Sequence, residues 1–416
     1  MQEIERVHYA STNAVPKPGA ADTTFFVQVD QAKCQSCGTC EEVCSTGAIQ
    51  PSDGQNGPRT VVDPTACMNC GQCLANCPFG AIYENVSFLD KIEAALADPK
   101  VKVVTMPAPA VRYGLGECFG YPTGTYVGGK MFTALRQLGF DKIWDNQMTA
   151  DVTIMEEGTE LLNRVSGKNK TPLPQFTSCC PGWIKFAETF YPQILPNLSS
   201  CKSPIGMLGP LCKTYGAQEA KIDPKQMFTV SIMPCIAKKF EGLRPDIKDI
   251  DATITTRELA YLIKKHKIDF KNLKDSEPDF DLGESTGAGT IFGNSGGVME
   301  AALRLAYEVL SGEKLTGDAV NITPVRTHTG VQAADVNVPK FGVVKVCVIS
   351  GLHNAVPIIE EVIAGKSPYH FIEVMTCPGG CVNGAGQPLA PDTLQSSLFK
   401  SVIARMNRRF HMRTMG

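Results

Sequence analysis

Beyond about residue 95 the chain alternates short apolar runs with segments whose apolar positions recur at helical spacing. Val101–Thr105, Phe228–Met233, Lys345–Ser350 and Phe371–Met375 are brief and rich in Val and Ile, the pattern of strands covered on both faces. Between them, Thr255-Thr-Arg-Glu258 is a capping-box opening that predicts a helix through Lys265, and Gly297 to Leu310 repeats apolar residues at helical spacing. Strands alternating with helices predict an α/β domain whose parallel sheets are flanked by helices. The stretch before it has another texture, an internal two-fold repeat. Cys34-Gln-Ser-Cys37-Gly-Thr-Cys40-Glu-Glu-Val-Cys44 is echoed by Cys67-Met-Asn-Cys70-Gly-Gln-Cys73-Leu-Ala-Asn-Cys77, and a Gly-Ala-Ile segment follows each, at Gly47 and Gly80. The expected organisation is a small repeat unit over 1–95, a main domain over 96–397 and a basic tail over 398–416. From Leu398 to Gly416 there are five Lys and Arg and no acid. This tail reads as a partner-facing helix or, equally, as a solvated end.

At 416 residues and 44.9 kDa the chain is long enough for two or three domains with proper cores, which excludes a disulfide-stapled miniprotein. No stretch approaches the roughly 18 consecutive apolar residues of a spanning helix, so no membrane span is expected. The net charge of −2 offers no general attraction to nucleic acid, and none is expected as a partner. Residues 1–95 are locally acidic, with 5 Lys and Arg against 11 Asp and Glu. The opening Met1-Gln-Glu-Ile-Glu-Arg is acidic and lacks an apolar core, so export is expected to need a partner's signal.

The chain has 17 cysteines, and their spacing points to chemistry. A cubane iron–sulfur cluster needs four converging thiolates, and cysteines at i, i+3 and i+6 in one tight loop supply three. In the two-cluster bacterial pattern the fourth cysteine of each run serves the other cluster. Cys34, Cys37, Cys40 and Cys77 are therefore assigned to one 4Fe-4S cluster, and Cys67, Cys70, Cys73 and Cys44 to a second. This makes residues 1–95 a small α+β two-cluster ferredoxin-like domain. A pair of zinc knuckles or a disulfide framework is the alternative. Pro78 follows the second run as expected, whereas Ser45 stands after the first. Clusters of this kind store and pass single electrons, so the rest of the chain must use them.

Three further segments carry cysteine in turns that follow strands or contain Pro-Gly: Thr177-Ser-Cys-Cys-Pro-Gly-Trp183, Met233-Pro-Cys-Ile-Ala-Lys-Lys-Phe-Glu241 and Glu373-Val-Met-Thr-Cys-Pro-Gly-Gly-Cys-Val-Asn-Gly-Ala-Gly-Gln-Pro388. Together, in this order and behind a two-cluster unit, they resemble the three signature motifs of the iron-only (di-iron) hydrogenases over essentially the whole chain. The closest resemblance is to the large subunit of the two-subunit periplasmic hydrogenases of sulfate reducers. It implies reversible, heterolytic interconversion of dihydrogen with two protons and two electrons at an H-cluster. That cofactor is a 4Fe-4S cubane joined to a di-iron centre bearing carbon monoxide, cyanide and a bridging dithiolate. By motif position its protein ligands are Cys180, Cys235, Cys377 and Cys381, with Cys381 supplying the bridging sulfur.

The resemblance makes Cys179 the last proton donor and places Glu157, Ser199, Glu160 and Arg164 on the relay outward. The sequence alone would put both glutamates on a solvated helix face. Lys238 is implied as a donor to metal-bound cyanide, for which a buried ammonium needs an anionic partner; without the motif it reads as half of a surface Lys-Lys pair. Ala108, Pro109 and Ala110 are implied as cofactor-facing walls, and Met233 and Met375 as apolar lining. Cys118, Cys201, Cys212 and Cys347 read as buried structural thiols. The third motif departs from the family's triple glycine at Ala385, a methyl expected beside the cofactor.

Partners follow from the same resemblance. The chain ends soon after Gln387-Pro388, so a small subunit is expected to supply the missing wrap and the export signal, giving a periplasmic enzyme; a cytoplasmic one is the alternative. The acidic N-terminal unit suits a basic c-type cytochrome, or a ferredoxin-type electron partner, and installing the di-iron centre requires maturation proteins. A hydrogen-sensing paralogue or a noncatalytic iron–sulfur protein are the rival readings. The Cys179-Cys180 pair speaks against the first and the four H-cluster ligands against the second.

Overall fold

The apolar runs become strands because both faces of each are covered, and burying one Val or Ile side chain contributes roughly 1.5–3 kcal/mol. A computed structural model of the protein describes residues 27–51, 62–313, 315, 330–338 and 342–389, and the basic tail lies outside them. Its strands in chain order are β1 (Val27–Val29), β2 (Ile82–Glu84), β3 (Lys102–Pro107), β4 (Lys142–Ile143), β5 (Gln175–Phe176), β6 (Met227–Met233), β7 (Ala252–Thr255), β8 (Gly330–Val338), β9 (Gly342–Ser350) and β10 (Phe371–Met375). By packing, the described residues form two units. One comprises those up to Asp145, Leu208–Gly283 and those from Gly384; the other comprises Asn146–Met207 and Glu284–Asn383.

In the first unit β1 and β2 pair antiparallel, Val27 opposite Glu84, beside the two cysteine loops. Each loop turns into a short helix, Thr39–Glu42 or Gln72–Asn76, through a left-handed glycine at the same place in the repeat, Gly38 (φ 81°) and Gly71 (φ 69°). Val27, Ile49, Val62, Leu74 and Ile82 form the small core beneath them. The unit also holds a parallel sheet in the order β4-β3-β6-β7. The predicted helix spans Thr256–Lys265 with both hydrogen bonds of its capping box, Thr255 and Glu258, in place.

The second unit holds the sheet β5-β10-β9-β8. β5, β10 and β9 are parallel, and β8 folds back antiparallel along β9, Gly330 opposite Ser350. Helices Asn146–Val165 and Gly297–Ser311 share its core through Ile154, Leu161, Met299 and Leu303. The sequence did not announce β8. Val331, Gln332, Ala333 and Asp335 are exposed on this edge strand, so it lacks the apolar run that marks a covered one. No helix among the described residues is long and apolar enough to cross a membrane.

Candidate metal centres and proton chain

The eight repeat cysteines fall into two groups in space. Cys34, Cys37, Cys40 and Cys77 line one small cavity with Val29, Phe79, Ala81 and Ile82. The second group surrounds Cys73, whose thiol is pushed well above its ordinary range by burial and then by Cys70, Cys67, Cys44 and Cys40. Four thiolates in a dry site repel one another unless cations lie among them, so this donor set fits a cluster of iron ions. Backbone donors already face the sulfurs: Asn69 N–H reaches Cys67 Sγ at 3.4 Å, and Ala81 N–H reaches Cys77 Sγ at 3.3 Å.

In the same unit β3 and β6 lie side by side with Pro107 opposite Ile232, so the turns beyond their carboxyl ends emerge together. These turns carry Ala108-Pro109-Ala110 and Pro234-Cys235, and the Ala108 N–H donates to Ile232 O at 2.9 Å. Ala108, Pro109, Ala110 and Met233 are buried and Cys235 partly so. Gly386 packs directly on this turn. Its N–H donates to Pro234 O at 2.9 Å, and a Cβ added there would lie 2.8 Å from the Pro234 carbonyl carbon. Lys238 is buried, and its Nζ donates to Glu241 Oε2 at 2.6 Å, which supplies the anionic partner that burial requires. Lys239 is buried as well, so the surface-pair alternative does not hold. Ala385 is also placed here: its methyl joins the small core under the cysteine loops, with Ile236 and Leu74.

The second unit repeats this geometry at β5 and β10, whose carboxyl ends lead into Cys179-Cys180 and Cys377. Cys180 precedes helix Pro181–Phe190, and its Sγ lies 3.2 Å from Thr376 Oγ1, so the first and third motifs touch one residue before Cys377. Cys179 turns into an apolar cluster with the buried Met375, against which Cys381 also packs. The Cys377–Cys381 turn is braced by Ser350, whose hydroxyl accepts from Gly379 N–H at 2.8 Å, and by Gly293, whose carbonyl accepts from Val382 N–H at 3.1 Å. Soft thiolates, partly or fully buried at strand ends, are the donors an iron–sulfur centre needs.

Beside Ser178, the residue before Cys179, lies a buried acid. Glu157 is 1% exposed, neither carboxyl oxygen has a hydrogen-bond partner at bonding geometry, and burial pushes its pKa up to about 8. Ser199 and the Ser178 backbone, close by, offset only part of that effect. Ser199 Oγ donates to Glu160 Oε2 at 2.7 Å, and Arg164 Nη2 donates to Glu160 Oε1 at 2.5 Å. Burial works against ionisation of Glu160, yet Arg164 and Ser199 hold it below the usual carboxylate range. The solvated-face reading of Glu157 is thus corrected: its side of helix Asn146–Val165 packs inward. Arg164 is 4% exposed and donates to the carbonyls of Pro172, Asn197 and Leu198, so it clamps the chain in place from inside.

Cys118, Cys212 and Cys347 are buried as expected, but Cys201 is only partly so, and its Sγ lies 3.8 Å from Glu160 Oε2. Burial and the acidic neighbours push its thiol up to about 12. Glu373, which opens the third segment, has a role that the sequence does not assign. It is fully buried and accepts the N–H groups of Gly296 at 2.6 Å and Met299 at 2.7 Å, at the start of helix Gly297–Ser311. A lone acid inside the apolar run Phe371–Met375 was the available signal.

Two α/β sheets that present cysteine turns at their strand ends, preceded by paired cysteine loops, define an iron–sulfur redox protein. The chain belongs to the iron-only hydrogenase large-subunit family: residues 101–385 match the model of the iron-only hydrogenase large subunit, C-terminal domain, and residues 33–81 match the 4Fe-4S dicluster domain. It is 55% identical over 398 residues to the periplasmic iron hydrogenase large subunit of Nitratidesulfovibrio vulgaris, covering 94% of this chain and 93% of that one. It is 48% identical over 324 residues to iron hydrogenase 1 of Clostridium pasteurianum, covering 76% of this chain but only 56% of that protein. A solved apo FeFe-hydrogenase of Chlamydomonas reinhardtii superposes with a TM-score of 0.66 at 37% identity, over 77% of this chain and 88% of that one.

Proposed function

We propose that this chain is the catalytic large subunit of a two-subunit hydrogenase that interconverts dihydrogen with two protons and two electrons. The observation that carries the reading is the buried acid Glu157 beside a turn in which adjacent cysteines divide, Cys180 toward Thr376-Cys377 and Cys179 toward Met375 and Cys381. When bound, the H-cluster supplies heterolytic splitting of dihydrogen and accepts the electrons. Cys180, Cys235, Cys377 and Cys381 would hold it. Ala108, Pro109, Ala110, Met233 and Met375 would wall it from water, and Lys238, anchored by Glu241, would donate to its anionic ligands. Cys179 would hold the proton on the cofactor side and pass it to Glu157, whose raised pKa lets it gain and lose a proton near neutrality. Ser199 and Glu160 continue the path toward solvent. Arg164, which cannot give up its proton, holds Glu160 in place.

Cys34, Cys37, Cys40 and Cys77 would hold one 4Fe-4S cluster and Cys67, Cys70, Cys73 and Cys44 the other, and the pair would supply single-electron storage and relay. The domain assignment follows, with 1–95 as the electron-relay unit and 96–397 as the catalytic one. A small subunit completes the enzyme and carries it to the periplasm, a basic c-type cytochrome or a ferredoxin-type carrier exchanges electrons with it, and maturation proteins install the di-iron centre.

Cys179→Ser tests the reading. In matured protein, hydrogen turnover is expected to be nearly abolished, while iron content and the infrared bands of metal-bound carbon monoxide and cyanide persist. Full turnover in this variant removes the proton role, and absence of those bands from the matured parent protein removes the hydrogenase assignment.

A further inference from the structure

The first unit contains a buried ionic cluster that none of these steps uses. Lys239 Nζ, fully enclosed, donates to Glu84 Oε2 at 2.7 Å, to Glu258 Oε1 at 2.9 Å and to the Val86 carbonyl at 2.8 Å. Arg257, 4% exposed, gives one guanidinium nitrogen to Glu84 and the other to the carbonyls of Ala385 and Gln387, the latter at 2.8 Å. Its backbone N–H donates to Gly386 O at 3.2 Å. Burial opposes ionisation of Glu84, yet Lys239 and Arg257 hold its carboxyl below the ordinary range. Buried ion pairs are poor stabilisers, because well-packed apolar residues of similar volume often serve the core as well or better. What a planar, two-armed guanidinium adds is orientation.

The groups it orients come from both ends of the electron path. Glu84 ends β2 of the cluster-binding repeat, and Ala385–Gln387 form the turn that closes the third motif. That turn bonds to Pro234 beside Cys235, and Gln387 Nε2 donates to Ala110 O at 2.9 Å. On its other side it meets Gly71, which lies between Cys70 and Cys73. A Cβ on Gly71 would sit 2.3 Å from Ile236 Cδ1 and 2.7 Å from Ala385 Cβ. The loop carrying the second cysteine group therefore rests on the residue that follows Cys235.

We propose that Arg257 is a positioning residue for electron transfer: by tying the 385–387 turn to Glu84, it fixes the Gly71–Ile236 contact across which electrons pass between the second cluster and the centre held by Cys235. Each crossing moves one electron, oxidising one centre as the other is reduced, with no bond or proton rearranged. The inference rests on the function proposed above, and its test separates the two.

In the matured two-subunit enzyme, isotope exchange between D2 and water reports dihydrogen splitting without net electron export. Freeze-quench electron paramagnetic resonance after mixing with dihydrogen reports how fast the repeat's clusters become reduced. In Arg257→Met the reduction rate is expected to fall about tenfold or more while exchange stays within about twofold, a scale typical of misplaced functional groups. Arg257→Lys, which keeps the charge but loses the fork, is expected to recover part of that rate. Reduction at the parent rate in Arg257→Met overturns the proposal, as does exchange that falls in step with reduction. Should Arg257→Met fail to fold, Glu84→Gln carries the test: slowed reduction with intact exchange supports the proposal, and an unchanged reduction rate overturns it. Absence of exchange in the parent enzyme would instead overturn the hydrogenase reading.

Discussion

Glu157 shows how one residue acquires a role that its type does not declare. In water its carboxyl is ionised at neutral pH; in the second unit burial raises its pKa to about 8, so near pH 7 it is mostly protonated. The linkage has a definite sign. The folded state holds this proton more tightly than the unfolded chain, so stability falls as pH rises from the ordinary carboxylate range through about 8 and then levels off. Glu157→Gln removes that dependence, and denaturant midpoints compared near pH ~5 and above pH ~8 should fall less in the variant than in the parent. The same variant cannot relay a proton, and hydrogen turnover is expected to drop by about 100-fold or more. The relay role proposed for Glu157 is legible only through the motif resemblance. Its burial is not, because the helix carrying it is polar enough to read as a solvated face until helix Gly297–Ser311 packs on it, Ile154 and Leu161 sharing a core with Met299 and Leu303.

Individual elements are held where they are by polar groups placed at their ends. Glu373 on β10 caps helix Gly297–Ser311 from a neighbouring element, its charge facing the positive end of the helix dipole. Glu373→Gln keeps the shape but loses the charge, and should cost about 1–2 kcal/mol, read as a lowered denaturant midpoint. The turn after β10 depends on backbone freedom. Gly380 has φ 94°, and a Cβ there would lie 2.6 Å from Ser295 N, so Gly380→Ala must displace the Cys377–Cys381 turn. Its iron content per chain is expected to fall to what the repeat unit holds, with the repeat's spectroscopic signals unchanged. At this scale the strands Phe228–Met233 and Phe371–Met375 and the capped helix Thr256–Lys265 were readable beforehand. β8 was not, because an edge strand half in solvent has no covered run to reveal it.

For the molecule as a whole, charge is distributed by segment: residues 1–95 hold 11 acidic against 5 basic residues in a chain whose net charge is only −2. Electron exchange with a basic carrier should therefore slow as ionic strength rises, and a turnover rate with such a carrier that is independent of salt would dismiss docking by charge. The amino-acid order alone determined the clustered thiols and the alternation of strand and helix, because these depend on spacing within a short stretch of chain. Tertiary structure decided which acid lies in the dark, that Cys201 sits beside Glu160, that the Ala385 methyl packs on the repeat core, and that Arg257 joins Glu84 to the third-motif turn. Those outcomes depend on residues far apart in sequence, such as Glu84 and Arg257, and only close packing tells which of a side chain's possible neighbours excludes water from it.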